Sequence, residues 1–238
     1  MRLKITFTAA KIRLPIAYQQ VLQGVIYKVF SGSDYGAFLH DEGYKVDDKT
    51  FKFFNFSNLY GNYSIKKDMI EFYGDVYFYV SSMSEGFIRK VYEHFYQNKV
   101  IRFYNQEVDV IALEAEELPS FDGIVNIKVK TLSPVVAYVT FDDYTKYVYP
   151  KDNEFETLCF NNLCHKAKYM DIPVDSLVFQ INEVSKIKKR VVKFKNTFYI
   201  GYMCEIDMIV NYPVLSLLYN TGLSAKGSSG FGMIEIIK

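Results

Sequence analysis

The sequence predicts an α+β fold of two tandem ferredoxin-like domains, the second less regular than the first. Three observations carry this expectation. The 238 residues suffice for one large domain or two of ordinary size. The 21 Tyr and 20 Phe, with no Trp, favour sheet. The apolar periodicity runs strand, helix, strand, strand, helix, strand through residues 1–115, then partly again through residues 121–238.

Arg2 to Thr8 alternates polar and apolar residues, the pattern of a half-buried strand. Leu14 to Phe30 reads as a helix with Pro15 near its start, where a missing N–H costs little. Val21, Leu22, Val25, Ile26 and Val29 form its apolar face, while Gln20, Gln23 and Tyr27 share another stripe that points away from the core. Asp34 to His40 makes a helical turn or two, closed by Asp41-Glu42-Gly43. Phe51 to Ser57 reads as a strand and Gly61-Asn62 as a turn, with short strands around Tyr63 to Lys66 and Asp75 to Ser81. Ser84 to Asn98 is a second helix with Ser84 at its cap. Val100 to Leu113 returns as extended chain broken near Asn105, and Glu114 to Ser120, acidic and holding Pro119, reads as a linker.

In the second half, Ile124 to Leu132 and Val135 to Phe141 read as strands around Ser133-Pro134, and Phe155 to Met170 as a helix. Leu177 to Val184, Arg190 to Lys195 and Thr197 to Val210 are strands, Pro213 to Tyr219 a short helix, and Phe231 to Ile237 the closing strand.

A formal net charge of +1 excludes a global pull toward nucleic acid, so any such binding rests on a local patch. The odd cysteine count (Cys159, Cys164, Cys204) and the absence of a signal peptide point to a reducing cytoplasm. Cys159, Cys164 and His165 lie close together, but no second Cys/His pair matches them, so neither a metal site nor a cofactor is expected. No run approaches the ~18 apolar residues of a membrane span, so no membrane partner is expected.

The richest chemistry lies in the tail. Gly222-Leu223-Ser224-Ala225-Lys226-Gly227-Ser228-Ser229-Gly230-Phe231-Gly232 can hold phosphate oxygens in a nest of backbone N–H groups, with Lys226 adding charge and Ser224, Ser228 and Ser229 hydroxyls. The basic cluster from Lys186 to Lys195, containing Lys188, Arg190 and Lys193, suits a phosphate-tracking surface, with Lys193 and Lys195 on one strand face; a solvated hairpin tip is the plain reading of Lys188 and Lys189. His40 can move a proton near neutral pH, although its position fits a surface or capping histidine as well. Lys52, inside Phe51 to Phe54, is either a solvent-facing lysine or a cation aimed at a phosphate. Tyr27 can donate a proton or simply pack. His94 and His165 read as structural.

Together these pieces resemble the CRISPR-associated endoribonucleases that cut precursor CRISPR RNA within each repeat, of the RAMP superfamily. Leu22-Gln23-Gly24-Val25-Ile26-Tyr27 resembles that family's "LQG-x-IY" helix, and Phe38-Leu39-His40-Asp41 with Phe53 to Ser57 its "LH…F-x-x-S" region. Thr131-Leu132-Ser133-Pro134-Val135 resembles its "LSP" opening. The tail resembles its G-h-G-x5-G-h-G signature through Gly222, Gly230 and Gly232, with Ser224 in place of the second glycine.

The resemblance implies RRM-like domains, with the catalytic residues in the N-terminal one and the RNA-binding loop in the C-terminal one. It implies His40 as general base, Tyr27 as the tyrosine and Lys52 as the lysine, with Tyr35, Lys45 and Lys49 as substitutes. It implies metal-independent attack by the RNA 2′-OH, leaving a 2′,3′-cyclic phosphate and a 5′-OH. Its implied partners are CRISPR repeat RNA, effector-complex subunits and a second copy in a homodimer. The alternatives are a non-catalytic RNA-binding subunit on the same scaffold and a sheet-rich protein-interaction domain. A β-branched residue at Gly230 is expected to weaken RNA binding with little effect on folding.

Overall fold

The computed structural model describes residues 1–237; Lys238, included in the second predicted domain, lies outside the described residues. The chain runs β1 (Arg2–Pro15), α1 (Gln19–Lys28), α2 (Asp34–Ala37), β2 (Tyr44–Val46), β3 (Lys49–Phe51), β4 (Phe54–Phe56), β5 (Tyr60–Lys66), β6 (Met69–Ser82), α3 (Glu85–Gln97), β7 (Val100–Phe103) and β8 (Gln106–Glu116). It continues with β9 (Ile124–Thr131), β10 (Tyr138–Thr140), β11 (Thr145–Tyr147), α4 (Asn153–Tyr169), β12 (Phe179–Phe194), β13 (Thr197–Asn211), α5 (Tyr212–Thr221) and β14 (Ile234–Ile236).

The first sheet is ordered β4-β6-β1-β8-β7, with β5 also pairing β6. The second is ordered β12-β13-β9-β14. Setting aside the added β5 and β7 strands, each places its first strand between its third and fourth, the ferredoxin-like arrangement, so the second half repeats the topology of the first. Its irregularity is the inserted β10–β11 hairpin.

Alternation places Leu3, Ile5 and Phe7 of β1 in the core, where Phe7 packs on Phe78, Phe95 and Phe103. The expected helix start at Leu14-Pro15 is corrected: β1 runs on through a bulge between Ala9 and Ile12, and Pro15 ends it opposite Met69. Ile12 and Leu14 continue the buried alternation, and β6 is long enough to pair with them. Gly61-Asn62 is not a turn but a bulged stretch of β5. The strand expected from Phe51 to Ser57 is broken: Phe53 has φ +50°, which leaves Lys52 between β3 and β4. The two strands expected within 177–195 are the single β12, kept continuous by register shifts at Ile181/Glu183 and Ser185/Lys188.

The second core gathers Val129, Phe155, Leu163, Ile206, Met208, Leu217 and Leu218. Between the halves lies Arg2, fully buried although charged. Its guanidinium donates to the carbonyls of Tyr219 (3.1 Å) and Ile234 (2.7 Å) and lies over the Tyr219 ring, 3.8 Å from its centre. Ser81 Oγ donates to Asn220 O and Tyr60 OH to Leu132 O, so the outer face of the first sheet is sealed by α5 and the "LSP" segment.

Candidate active site

The turn carrying His40 is built by local sequence. Ser33 caps α2, accepting from Gly36 N, and the chain tightens into a π-helical turn over Phe38–Glu42 that Gly43 ends at φ +74°. Leu39 is buried there, which turns the neighbouring His40 outward with its side chain 67% exposed. His40 Nδ1 lies 2.6 Å from Asp41 Oδ1. A carboxylate only accepts, so Nδ1 carries the hydrogen in this pair, and Nε2 is left with its lone pair.

Two further side chains meet this turn. The Tyr27 ring stands edge-on to His40 at 5.7 Å between centroids and edge-on to Phe54 at 5.8 Å, and its hydroxyl points at Leu39 O, 3.4 Å away. Burial raises the Tyr27 phenol to about 12, so it keeps its proton at neutral pH. Tyr27 is therefore half-buried rather than turned away from the core. Lys52 Nζ donates to His40 O at 3.1 Å. Burial lowers its pKa, Asp41 opposes that shift, and the charge of Lys195 adds to it. The tip of the basic β12–β13 hairpin thus reaches the same place.

Of the substitutes, Lys49 and Lys45 stand exposed on the β2–β3 hairpin, and Tyr35 is engaged by the Tyr44 hydroxyl at 3.5 Å and by Phe30 and Phe38.

Beside this cluster opens a cleft of about 660 Å³. Asp41, Lys49 and Lys52 line one side, and Lys226, Ser228 and Ser229 the other. The tail is shaped by close packing on β4. Gly222 (φ +82°) faces the Asn55 amide, and Gly230 (φ +82°) faces the Phe56 ring, each too near for a Cβ. Gly232 N donates to Pro134 O, bringing the "LSP" segment against the tail. Buried Ser224 accepts from Val136 N and donates to Ala225 O, and Gln23 Nε2 donates to Ser228 O. Among the described residues, the N–H groups of Ala225, Lys226, Gly227 and Ser228 donate to no protein acceptor.

The basic strand is less uniform than its sequence. Lys186 is paired with Glu205 at 2.7 Å, Arg190 donates to Lys189 O, and Lys193 lies over the Phe198 ring at 5.8 Å; Lys188 is exposed. His94 is half-buried against Phe95, and His165 Nδ1 lies 2.6 Å from Asn161 O. Cys159, Cys164 and Cys204 are free, and no helix among the described residues is long and apolar enough to cross a membrane.

A model described as "CRISPR associated protein Cas6, C-terminal" matches residues 113–236, just over half of the chain. The chain belongs to the Cas6 family. Two curated relatives from Methanocaldococcus jannaschii are similar to this Cas6 chain. "CRISPR-associated endoribonuclease Cas6 1" is 28% identical over 93% of the chain and 86% of the relative. "CRISPR-associated endoribonuclease Cas6 2" is 26% identical over the full length of both. A solved structure titled "CRISPR associated protein Cas6" superposes with a TM-score of 0.79 at 25% identity, covering 100% of this chain and 99% of its own. Family membership bears out the resemblance carried by the first helix, the "LSP" segment and the tail.

One residue of this Cas6 site has no place in the motif reading. Lys166, on α4, is buried under the tail, where Nζ donates to Gly222 O at 2.8 Å and to Thr221 O and Ser224 O at 3.4 Å. The available signal is its spacing: Phe155, Cys159, Leu163 and Ala167 form the buried stripe of α4, and Lys166 falls on it.

Proposed function

We propose that this Cas6-family chain cuts precursor CRISPR RNA within its repeats by metal-independent attack of the RNA 2′-OH, giving 2′,3′-cyclic phosphate and 5′-OH ends. The observation that carries the reading is the convergence of His40, Tyr27 and Lys52 at the edge of a cleft whose far wall is the glycine-rich tail. The names of the curated relatives support endoribonuclease activity.

RNA carries its own nucleophile, so the protein has to align it and manage two protons. His40 Nε2 takes the 2′-OH proton, with the ring held by Asp41. Tyr27, kept as a phenol by burial, donates to the departing 5′-oxygen. Lys52 stabilises the charge that gathers on the phosphoryl oxygens. The strand is held by Lys226, by the free N–H groups of residues 225–228, by Lys188, Arg190 and Lys193 along β12, and by Lys195, which lies not on the strand beside Lys193 but in the turn after it at φ +54°. Gly222, Gly230, Gly232 and Ser224 shape that surface from behind. Lys186, tied to Glu205, contributes least.

The test is incubation of the full chain with end-labelled repeat RNA in EDTA. Specific cleavage that disappears when the cut-site ribose is 2′-deoxy supports the mechanism. Cutting of the deoxy substrate overturns it, and tight binding without cleavage makes the chain a non-catalytic RNA-binding subunit.

A further inference from the structure

A lysine nine-tenths buried with no carboxylate beside it is costly unless its donors are used. Lys166 uses all of them. An ammonium has three N–H donors, and the carbonyls of Thr221, Gly222 and Ser224 take three. None is left for a ligand, so Lys166 holds protein rather than RNA. The three carbonyls stand where α5 ends and the tail begins. A helix C-terminus leaves its last carbonyls unpaired and carries partial negative charge, which a cation there relieves.

We propose that Lys166 is a positioning residue for the RNA-binding tail: its Nζ pins the backbone of residues 221–224 and so sets the next four N–H groups toward the cleft. The proposal rests on the reading of that tail as a phosphate cradle. A neutral amine still donates to two of the three carbonyls. Burial lowers the Lys166 pKa to about 7, with Cys159 alone opposing it, so opening of the tail, which hydrates the side chain and takes up a proton, is opposed more strongly as pH rises through 7. The other titratable groups around the same cleft are Asp41 and Glu42 beside His40, Lys49 and Lys52 near β3, Tyr138 on β10 and Lys226 in the tail.

The experiment measures binding of a fluorescein-labelled CRISPR repeat RNA, 2′-deoxy at the cut site, to the full chain at pH 6.0 and 8.5, together with amide hydrogen exchange of residues 221–230 corrected for intrinsic rate. The wild type is expected to show higher protection at pH 8.5 than at pH 6.0, confined to this segment. Lys166→Met is expected to bind roughly tenfold more weakly than the wild type at both values, with lower protection of the segment and no change of protection between the two. A Lys166→Met protein that binds like the wild type, or keeps its pH-dependent protection, overturns the proposal. Should that variant not fold, the wild-type exchange decides: equal or lower protection at pH 8.5 overturns the proposal, and a localised gain supports it. If the wild type binds no RNA at any pH, the functional reading fails, while the exchange measurement still tests the lysine.

Discussion

Lys52 Nζ and the backbone carbonyl of His40 are joined by a 3.1 Å hydrogen bond. The proposed base and the proposed cation are therefore one assembly: the lysine that would face the phosphate also holds the turn that carries the imidazole.

From this link, Lys52→Met is expected to slow single-turnover cleavage by more than loss of one charge contact, about 10²–10³-fold. Because Lys52 loses its proton more easily than an ordinary lysine, the wild-type rate should begin to fall on the alkaline side below the usual lysine range. A pH–rate profile of the wild type and of Lys52→Arg, which stays charged, checks this; an unchanged alkaline limb in the arginine variant would count against it.

His40→Ala should lower single-turnover cleavage about 10²–10⁴-fold while changing RNA affinity little, because the side chain is exposed and supports no core packing. Full-rate cleavage by this variant would remove His40 from the site.

Tyr27→Phe keeps the ring against Phe54 and removes only the hydroxyl. Its melting temperature should match the wild type within about 1–2 °C, while cleavage falls by about 10²-fold. Since burial raises the phenol to about 12, no tyrosine ionisation should appear in the wild-type profile below pH 10.

Gly230→Val, which the sequence suggests would spare folding, is expected to destabilise the protein. A Cβ there meets the Phe56 ring at 2.5 Å, and φ is +82°, a combination that costs about 1–3 kcal/mol or more. Lys226→Ala tests the tail cleanly instead. This exposed side chain should lower RNA affinity and reduce the salt slope by about one, with an unchanged melt.

Lys166 also predicts the sign of a stability change. Its folded value is about 7 against 10.5 for the unfolded chain. Below pH 7 both states hold the proton, and above it the unfolded chain binds one that the folded chain lacks, so stability rises with pH from about 7 toward 10.5. Denaturant melts at pH 6.5 and 9 should show that slope in the wild type and a smaller one in Lys166→Met. Identical slopes would place the proton elsewhere.

Alternating and helical periodicity made most elements legible along the chain, because burial on one face is a local pattern. Glycine spacing and the His40 segment likewise identified the family. Other features were decided by contacts between residues far apart. Pro15 ends a strand because β6 extends far enough to pair beyond it, and Lys52 leaves its strand because Phe53 turns to φ +50°. Arg2 and Lys166 are buried because the second half covers one and the tail closes over the other. Which side chains share a face is written in the local spacing; which cation is desolvated, and which carbonyl it meets, depends on packing between segments up to about 230 residues apart.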